Sequence, residues 1–174
     1  RLNNIDKKKA LLDLISSEEK VVLNQKSLHL AWCVVDPKTI EKYITSLNEM
    51  GVDKITFIYS DYSQKNFKVN IEKLEKILIN SSCQCGRSNI IKLDVCKNIE
   101  TFIKENPDTY FLDFSNVSIN EKCDEIKTLV IGCEGGFSAK EREKFNKENI
   151  VGFNSSLILR SETAIISAGS KILL

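Results

Sequence analysis

Residues Ile131 to Glu141 read "IGCEGGFSAKE" and set three glycines around one carboxylate, just after an apolar run. Gly132, Gly135 and Gly136 carry no Cβ and can adopt positive φ, so a ligand can lie directly against main-chain N–H and C=O groups. Ser138 with Glu141 three residues on forms a capping box, which starts a helix at about Ala139. Such a strand–glycine–helix junction suits phosphate. Glu134, however, places negative charge where an anion would rest, and no Lys-Ser or Lys-Thr follows as in a P-loop. The G-x-x-G-G spacing also differs from the G-x-G-x-x-G of dinucleotide folds. A neutral or cationic ligand rich in hydrogen-bonding edges fits better, and a purely structural turn with a solvated glutamate is the alternative.

The second constellation is "SSLILRSETA", residues 155 to 164. A short apolar strand is expected to deliver Arg160, with Glu162 in the first turn of the last helix, where a carboxylate favours the helix dipole. A guanidinium fixed there can fork onto a carboxylate or a nucleobase carbonyl, or pair internally with Glu162 or Glu134. A third stretch, "SSCQCGRS" (81 to 88), puts Gln84 and Arg87 at a helix end beside Gly86. Lys65 and Lys68 stand in the polar connection "DYSQKNFKV", where a lone lysine is ordinarily a solvated side chain.

The elements that must position these residues alternate. "LHLAWCVV" (28–35), "KITFIYS" (54–60), 90–93, "TYFLDFS" (109–115) and "TLVIG" (128–132) read as strands. Between them, "DPKTIEKYITSLNEMG" has Asp36 as N-cap, Pro37 at the first helical position and Gly51 past its end. Further helices are expected from about Asn70 and around Ile99, Phe102 and Ile103. The alternation predicts an α/β domain with a mostly parallel sheet and helices on both faces. In such sheets ligands sit beyond the C-terminal strand ends, which points to the loops after Ser60, Ser115, Ile131 and Phe153.

The chain has 174 residues, enough for one substantial core, and its 25 Lys and Arg nearly balance 24 Asp and Glu. No global field steers it towards nucleic acid, so any RNA site must be a local patch. Apolar runs such as 129–131 and 157–159 are too short to span a bilayer, and the reading is of a cytoplasmic protein with no membrane contact. Six cysteines without paired CxxC knuckles, and a single histidine, predict no structural metal site and no disulfide framework. Residues 1–25 read as alternating, partly polar strand fragments separate from the α/β part, 26–174.

Taken together, "LVIGCEGGFSAKE", "LILRSETA" and the upstream "CQCGRS" resemble the ribosomal small-subunit methyltransferase E family, over about residues 28 to 174. The family pattern is roughly "IGPEGG-F-S-x-x-E", "LG-x-R-I-L-R-T-E-T-A" and "E-Q-x-x-R". Here Cys133 replaces the usual proline, Cys83 a glutamate, Ser155 a glycine and Leu157 an arginine. Cys133 is expected to alter the stiffness of the loop more than its purpose.

The resemblance implies a SPOUT-type domain with a C-terminal trefoil knot, a homodimer, and an N-terminal PUA-like β-barrel of which residues 1–25 would be a remnant. It also implies S-adenosylmethionine as methyl donor and N3 of a uridine in the 16S rRNA of the small ribosomal subunit as target. Main chain around Leu112, Gly132, Glu134, Gly135, Gly136, Ser156, Leu157 and Leu159 would hold the cofactor. Arg160 would stabilise charge on a uracil carbonyl, with Glu162 orienting it or taking the proton, and Lys65, Lys68, Gln84 and Arg87 would face RNA. A non-catalytic RNA-binding module with a structural loop is the competing reading. An NAD-type enzyme is disfavoured by the absence of glycines in "VVDPKT", the first strand-to-helix junction.

Overall fold

A computed structural model describes all 174 residues. Strands β1 (Leu2–Ile5) and β2 (Ala10–Leu12) form an antiparallel hairpin of their own. Its turn is held by Asp6, whose carboxylate accepts from the Lys8 and Lys9 amides. Residues 1–23 are exposed throughout and add nothing to the core.

The core belongs to a six-stranded sheet. In chain order its strands are β3 (His29–Cys33), β4 (Lys54–Ile58), β5 (Lys92–Cys96), β6 (Tyr110–Leu112), β7 (Thr128–Ile131) and β8 (Ile150–Val151), and in space they run β5-β4-β3-β7-β6-β8. Every pairing is parallel, as the uninterrupted apolar runs predict. Helix α1 (Pro37–Glu49) begins as expected, with the Asp36 carboxylate accepting from the Lys38 amide at 2.7 Å. Helix α2 (Ile71–Cys85) is capped by Asn70 and stops at Gly86 in the left-handed region. The remaining helices are α3 (Ile99–Glu105), the single turns α4 (Ile119–Lys122) and α5 (Ala139–Arg142), and α6 (Ser161–Leu173).

Side chains alternate across a strand, and β3 shows which helices take which face. Leu30 lies beside Gly169 of α6, and Trp32 donates to Ser161 at the start of that helix. His29, on the other face, packs edge-on against Phe102 of α3 at 5.4 Å between ring centroids. Phe111 shares a register row with Val130 and Ala31, hence the His29 face, where it stacks on Phe145 at 3.8 Å and meets Phe137 edge-on. The sheet is therefore covered on both faces. Burial of side chains such as Trp32, Phe57 and Phe111 contributes about 2–3 kcal/mol each.

Several elements differ from expectation. The third strand of the sheet begins at Lys92 rather than Ile90, because Ile90 and Ile91 pack against the core before the ladder starts. The strand expected over 109–115 ends at Leu112, beyond which Asp113 turns to a side-chain partner across the cleft. Residues 157–159 form no strand: no neighbour offers a ladder there, and Leu157 and Ile158 are 76% and 81% exposed. Neither α4 nor the two-residue β8 has a periodic signal long enough to be read.

Candidate functional site

Strands β7, β6 and β8 lie side by side, so the loops leaving their C-terminal ends gather at one edge of the sheet. Together with the start of α6 they enclose a cleft of about 690 Å³, within the range of small-molecule sites.

The glycine loop forms its floor. Cys133 to Gly136 is a tight turn closed by a hydrogen bond from the Gly136 amide to the Cys133 carbonyl at 2.9 Å. Only Gly136 uses the left-handed region, at φ 68°. Gly132 is required for a different reason: a Cβ there would stand 3.0 Å from the Gly136 Cα, so the two ends of the turn touch through bare backbone. Cys133 is buried, its thiol donating towards the Gly136 carbonyl at 3.8 Å and accepting from the Ser60 hydroxyl at 3.7 Å. A cysteine thus ties the turn internally at the position where the resembling family has proline.

The loop is anchored on three sides. The Ser138–Glu141 capping box forms as expected, and the buried Glu141 carboxylate also accepts from the Asp61 amide at 2.9 Å. Asp61 in turn accepts from the Ser138 hydroxyl at 2.5 Å. At the other end the Ser161 hydroxyl accepts from the Trp32 indole at 2.8 Å and donates to the Gly132 carbonyl at 2.5 Å. These bonds fasten the first turn of α6 and the loop after β4 to the same backbone turn.

Of the residues expected at a cofactor, Leu112, Gly132, Glu134, Gly135, Gly136, Leu157 and Leu159 line the cleft, while Ser156 does not. Arg160 stands at the N-cap position of α6 without a side-chain cap bond and is not in the cleft lining, its side chain 84% exposed and its Nη1 4.0 Å from a Glu162 oxygen. Glu162 is nearly covered, at 14%. Lys65, Lys68 and Gln84 are exposed and do not line the cleft. Arg87 departs from the expected RNA-facing role. Its side chain is 7% exposed and donates to the Asn48 carbonyl at 2.9 Å and to Asn89 at 2.6 Å, with Asp53 nearby. Desolvation lowers its pKa, the attraction of Asp53 opposing that shift. It fastens the end of α2 to α1.

Sequence reasoning missed Ser161 and the pair Asp113–Arg142. Asp113 and Arg142 face each other across the cleft as a two-pronged ion pair, Nε to Oδ2 at 2.6 Å and Nη2 to Oδ1 at 3.1 Å. The hydrogen bond to Asp113 raises the Arg142 pKa. Trp32 was a usable signal for Ser161, since a buried indole N–H demands an acceptor. Nothing local signals the ion pair, whose partners are brought together by the adjacency of β6 and β7.

Residues 23–173 match a family model described as an RNA methyltransferase domain. The chain is 40% identical over 169 residues to the ribosomal RNA small subunit methyltransferase E of Helicobacter pylori, covering 95% of this chain and 75% of that protein. It is 32% identical over 156 residues to the protein of the same name from Buchnera aphidicola, covering 81% and 62%. Among solved structures, a Legionella pneumophila methyltransferase in complex with bound SAM superposes with a TM-score of 0.74 at 25% identity, over 98% of this chain and 75% of that one. The ribosomal RNA small subunit methyltransferase E of Neisseria gonorrhoeae, bound to S-adenosyl methionine, superposes with a TM-score of 0.79 at 16% identity over the same shares, a likeness of fold.

Proposed function

The chain belongs to the ribosomal RNA small subunit methyltransferase E family of RNA methyltransferases, and from this premise we propose that it methylates N3 of a uridine in 16S rRNA, using S-adenosylmethionine. The observation that carries the reading is the bare-backbone turn at the floor of the cleft, so tightly closed that a Cβ on Gly132 would meet the Gly136 backbone. The residues present suit the cofactor. Glu134 offers negative charge to a sulfonium or an ammonium, and Leu112, Leu157 and Leu159 offer apolar contact to an adenine ring. When bound, S-adenosylmethionine supplies an electrophilic methyl group.

The residues of the chain perform the rest. The N3–H of uridine is a weak acid, so the uracil must be drawn towards its anion as the methyl arrives, the N3 proton passing to solvent or to Glu162 and the thioether S-adenosylhomocysteine leaving. Arg160, exposed at the start of α6, donates to a uracil carbonyl oxygen and stabilises that charge. Glu162 orients the guanidinium from the first helical turn. N3 is hidden in a base pair, so the target is unpaired or flipped. Lys65 and Lys68 are exposed cations suited to RNA phosphates, with Gln84 a further polar contact.

Three further features belong to the same reading. A trefoil knot is supported by Gly152, which follows β8 and lies against the loop after β6, and by α6, which returns to pack beside β3 and β7. A Cβ on Gly152 would lie 2.9 Å from the Ser115 carbonyl oxygen, and the Gly152 amide donates to Val117. A homodimer is supported by the exposed apolar residues beside the cleft. Residues 1–25 form a unit distinct from the methyltransferase domain 26–174 and the edge of a PUA-like β-barrel, supported by a separate hairpin with exposed leucines. The site of action is the cytoplasm, where small subunits are assembled; no helix is long and apolar enough to cross a membrane.

The test is methyl transfer from labelled S-adenosylmethionine to small ribosomal subunits lacking the modification, with the product nucleoside identified by mass analysis. Incorporation as 3-methyluridine is expected, and a different nucleoside or none overturns the reading. Arg160→Ala is expected to lower kcat about 100-fold, with cofactor affinity unchanged. Full activity in that variant removes the arginine from the chemistry.

A further inference from the structure

The loop after β4 has a role that the cofactor cleft does not use. Its ends are fixed: Ser60 and Ser63 are buried and hydrogen-bonded to each other at 2.9 Å, and the Ser63 amide donates to the Ser60 carbonyl. Asp61 is bonded to Glu141 and Ser138. From this rigid turn Tyr62 projects with 55% of its surface exposed. One part of its ring rests on the glycine loop, so that a Cβ on Gly135 would come within 3.1 Å of the Tyr62 Cβ and Cδ2. Gly135 is therefore bare because an aromatic ring lies on it.

An aromatic face held open by a hydrogen-bonded turn and seated on the glycine loop can take a stacked base as its partner. The charges nearby define that partner. Asp61 precedes Tyr62 and Glu134 precedes the Gly135 on which the ring lies, carboxylates that disfavour a phosphate here, whereas Lys65 and Lys68 follow a few residues on and attract one. That pattern fits a nucleotide whose base lies over the ring and whose backbone runs along the lysines. Base stacking on an aromatic face is the usual grip on unpaired RNA.

We propose that Tyr62 is a stacking platform for an unpaired base of the RNA substrate, held in register with the methyl-donor loop through Gly135, Asp61 and Ser138. The proposal rests on the RNA methyltransferase reading and deepens it. Because Asp61 is hydrogen-bonded to the capping box that follows the glycine loop and Tyr62 lies on Gly135, a stacked base is placed at a set distance from the cleft.

Two measurements on the full chain test it: anisotropy of a short fluorescent oligouridine, and calorimetry with S-adenosylmethionine. Tyr62→Leu keeps an apolar side chain over Gly135 but removes the π face, and is expected to weaken oligouridine binding about 10-fold while cofactor affinity stays within about 2-fold. Tyr62→Phe is expected to bind RNA like the wild type. With small subunits as substrate, Tyr62→Leu raises KM and leaves kcat largely intact. The platform is overturned if Tyr62→Leu binds oligouridine normally, if Tyr62→Phe loses as much as Tyr62→Leu, or if the wild type has no measurable affinity for the oligomer. An equal loss of cofactor affinity in Tyr62→Leu also overturns it, since the ring would then only prop the loop. If oligouridine binding depends on Tyr62 but no small subunit is methylated, the methyl-transfer reading fails and the platform stands.

Discussion

Two glycines three residues apart are bare for opposite reasons, and substitution separates them. In Gly132→Ala the new methyl meets the Gly136 backbone at 3.0 Å, which cannot rotate away, so the turn itself must move. In Gly135→Ala it meets the Tyr62 side chain, which can swing. Calorimetry is expected to show S-adenosylmethionine affinity reduced about 10-fold or more in the first and only about 2-fold in the second; equal losses would mean that the cofactor does not use this turn. His29 offers a second residue-level prediction. Burial, aided by Lys54, depresses its pKa to about 4 from an ordinary 6.5, so below pH 6.5 the unfolded chain takes up a proton that the folded one refuses. Stability is complete above that pH and falls as pH drops from 6.5 towards 4. Denaturant unfolding at pH 7 and 4.5 is expected to differ by about 1–2 kcal/mol more in wild type than in His29→Gln, the partial exposure of the ring reducing the ideal figure.

At the scale of elements, the last helix and the glycine loop act as one unit because Ser161 bridges Trp32 and the Gly132 carbonyl. Ser161→Ala leaves a buried indole N–H without an acceptor, and thermal unfolding is expected to report a loss of about 1–3 kcal/mol. In Trp32→Phe the further effect of Ser161→Ala shrinks, since the orphaned donor is gone; full additivity would show that the bridge carries no energy. The elements also show what can be read without coordinates. Asp36, Asn70 and Ser138 announce their helices because a cap is a local hydrogen bond between residues two or three apart. The glycine loop is legible for the same reason. The apolar run 157–159 misleads, because hydrophobicity signals a strand only where a ladder neighbour exists, and here Leu157 and Ile158 line an open cleft instead and stay largely exposed. Asp113–Arg142 and the burial of Arg87 are illegible, since each depends on pairing between segments far apart in the chain.

At the scale of the whole molecule, part of the exposed apolar surface gathers at one place. Phe114, Leu157 and Ile158 are 77%, 76% and 81% exposed, and all three line the cleft at the sheet edge where the loops after β6 and β8 meet. Contiguous apolar surface of this kind marks an interface, and residues that shape the cofactor cleft on one side would be shielded on the other by a second copy. Ile158→Lys puts a charge at the centre of that patch without touching the glycine turn or the helix cap. Sedimentation velocity is expected to show wild type as a dimer and Ile158→Lys shifted to monomer at micromolar concentration, a loss of about 2 kcal/mol or more. Because Leu157 and Leu159 on either side lose their cover when the partner leaves, S-adenosylmethionine affinity is expected to fall with the dimer and to recover as protein concentration rises. A variant that stays dimeric, or a monomer that binds the cofactor at full strength, would show that the patch serves something other than self-association.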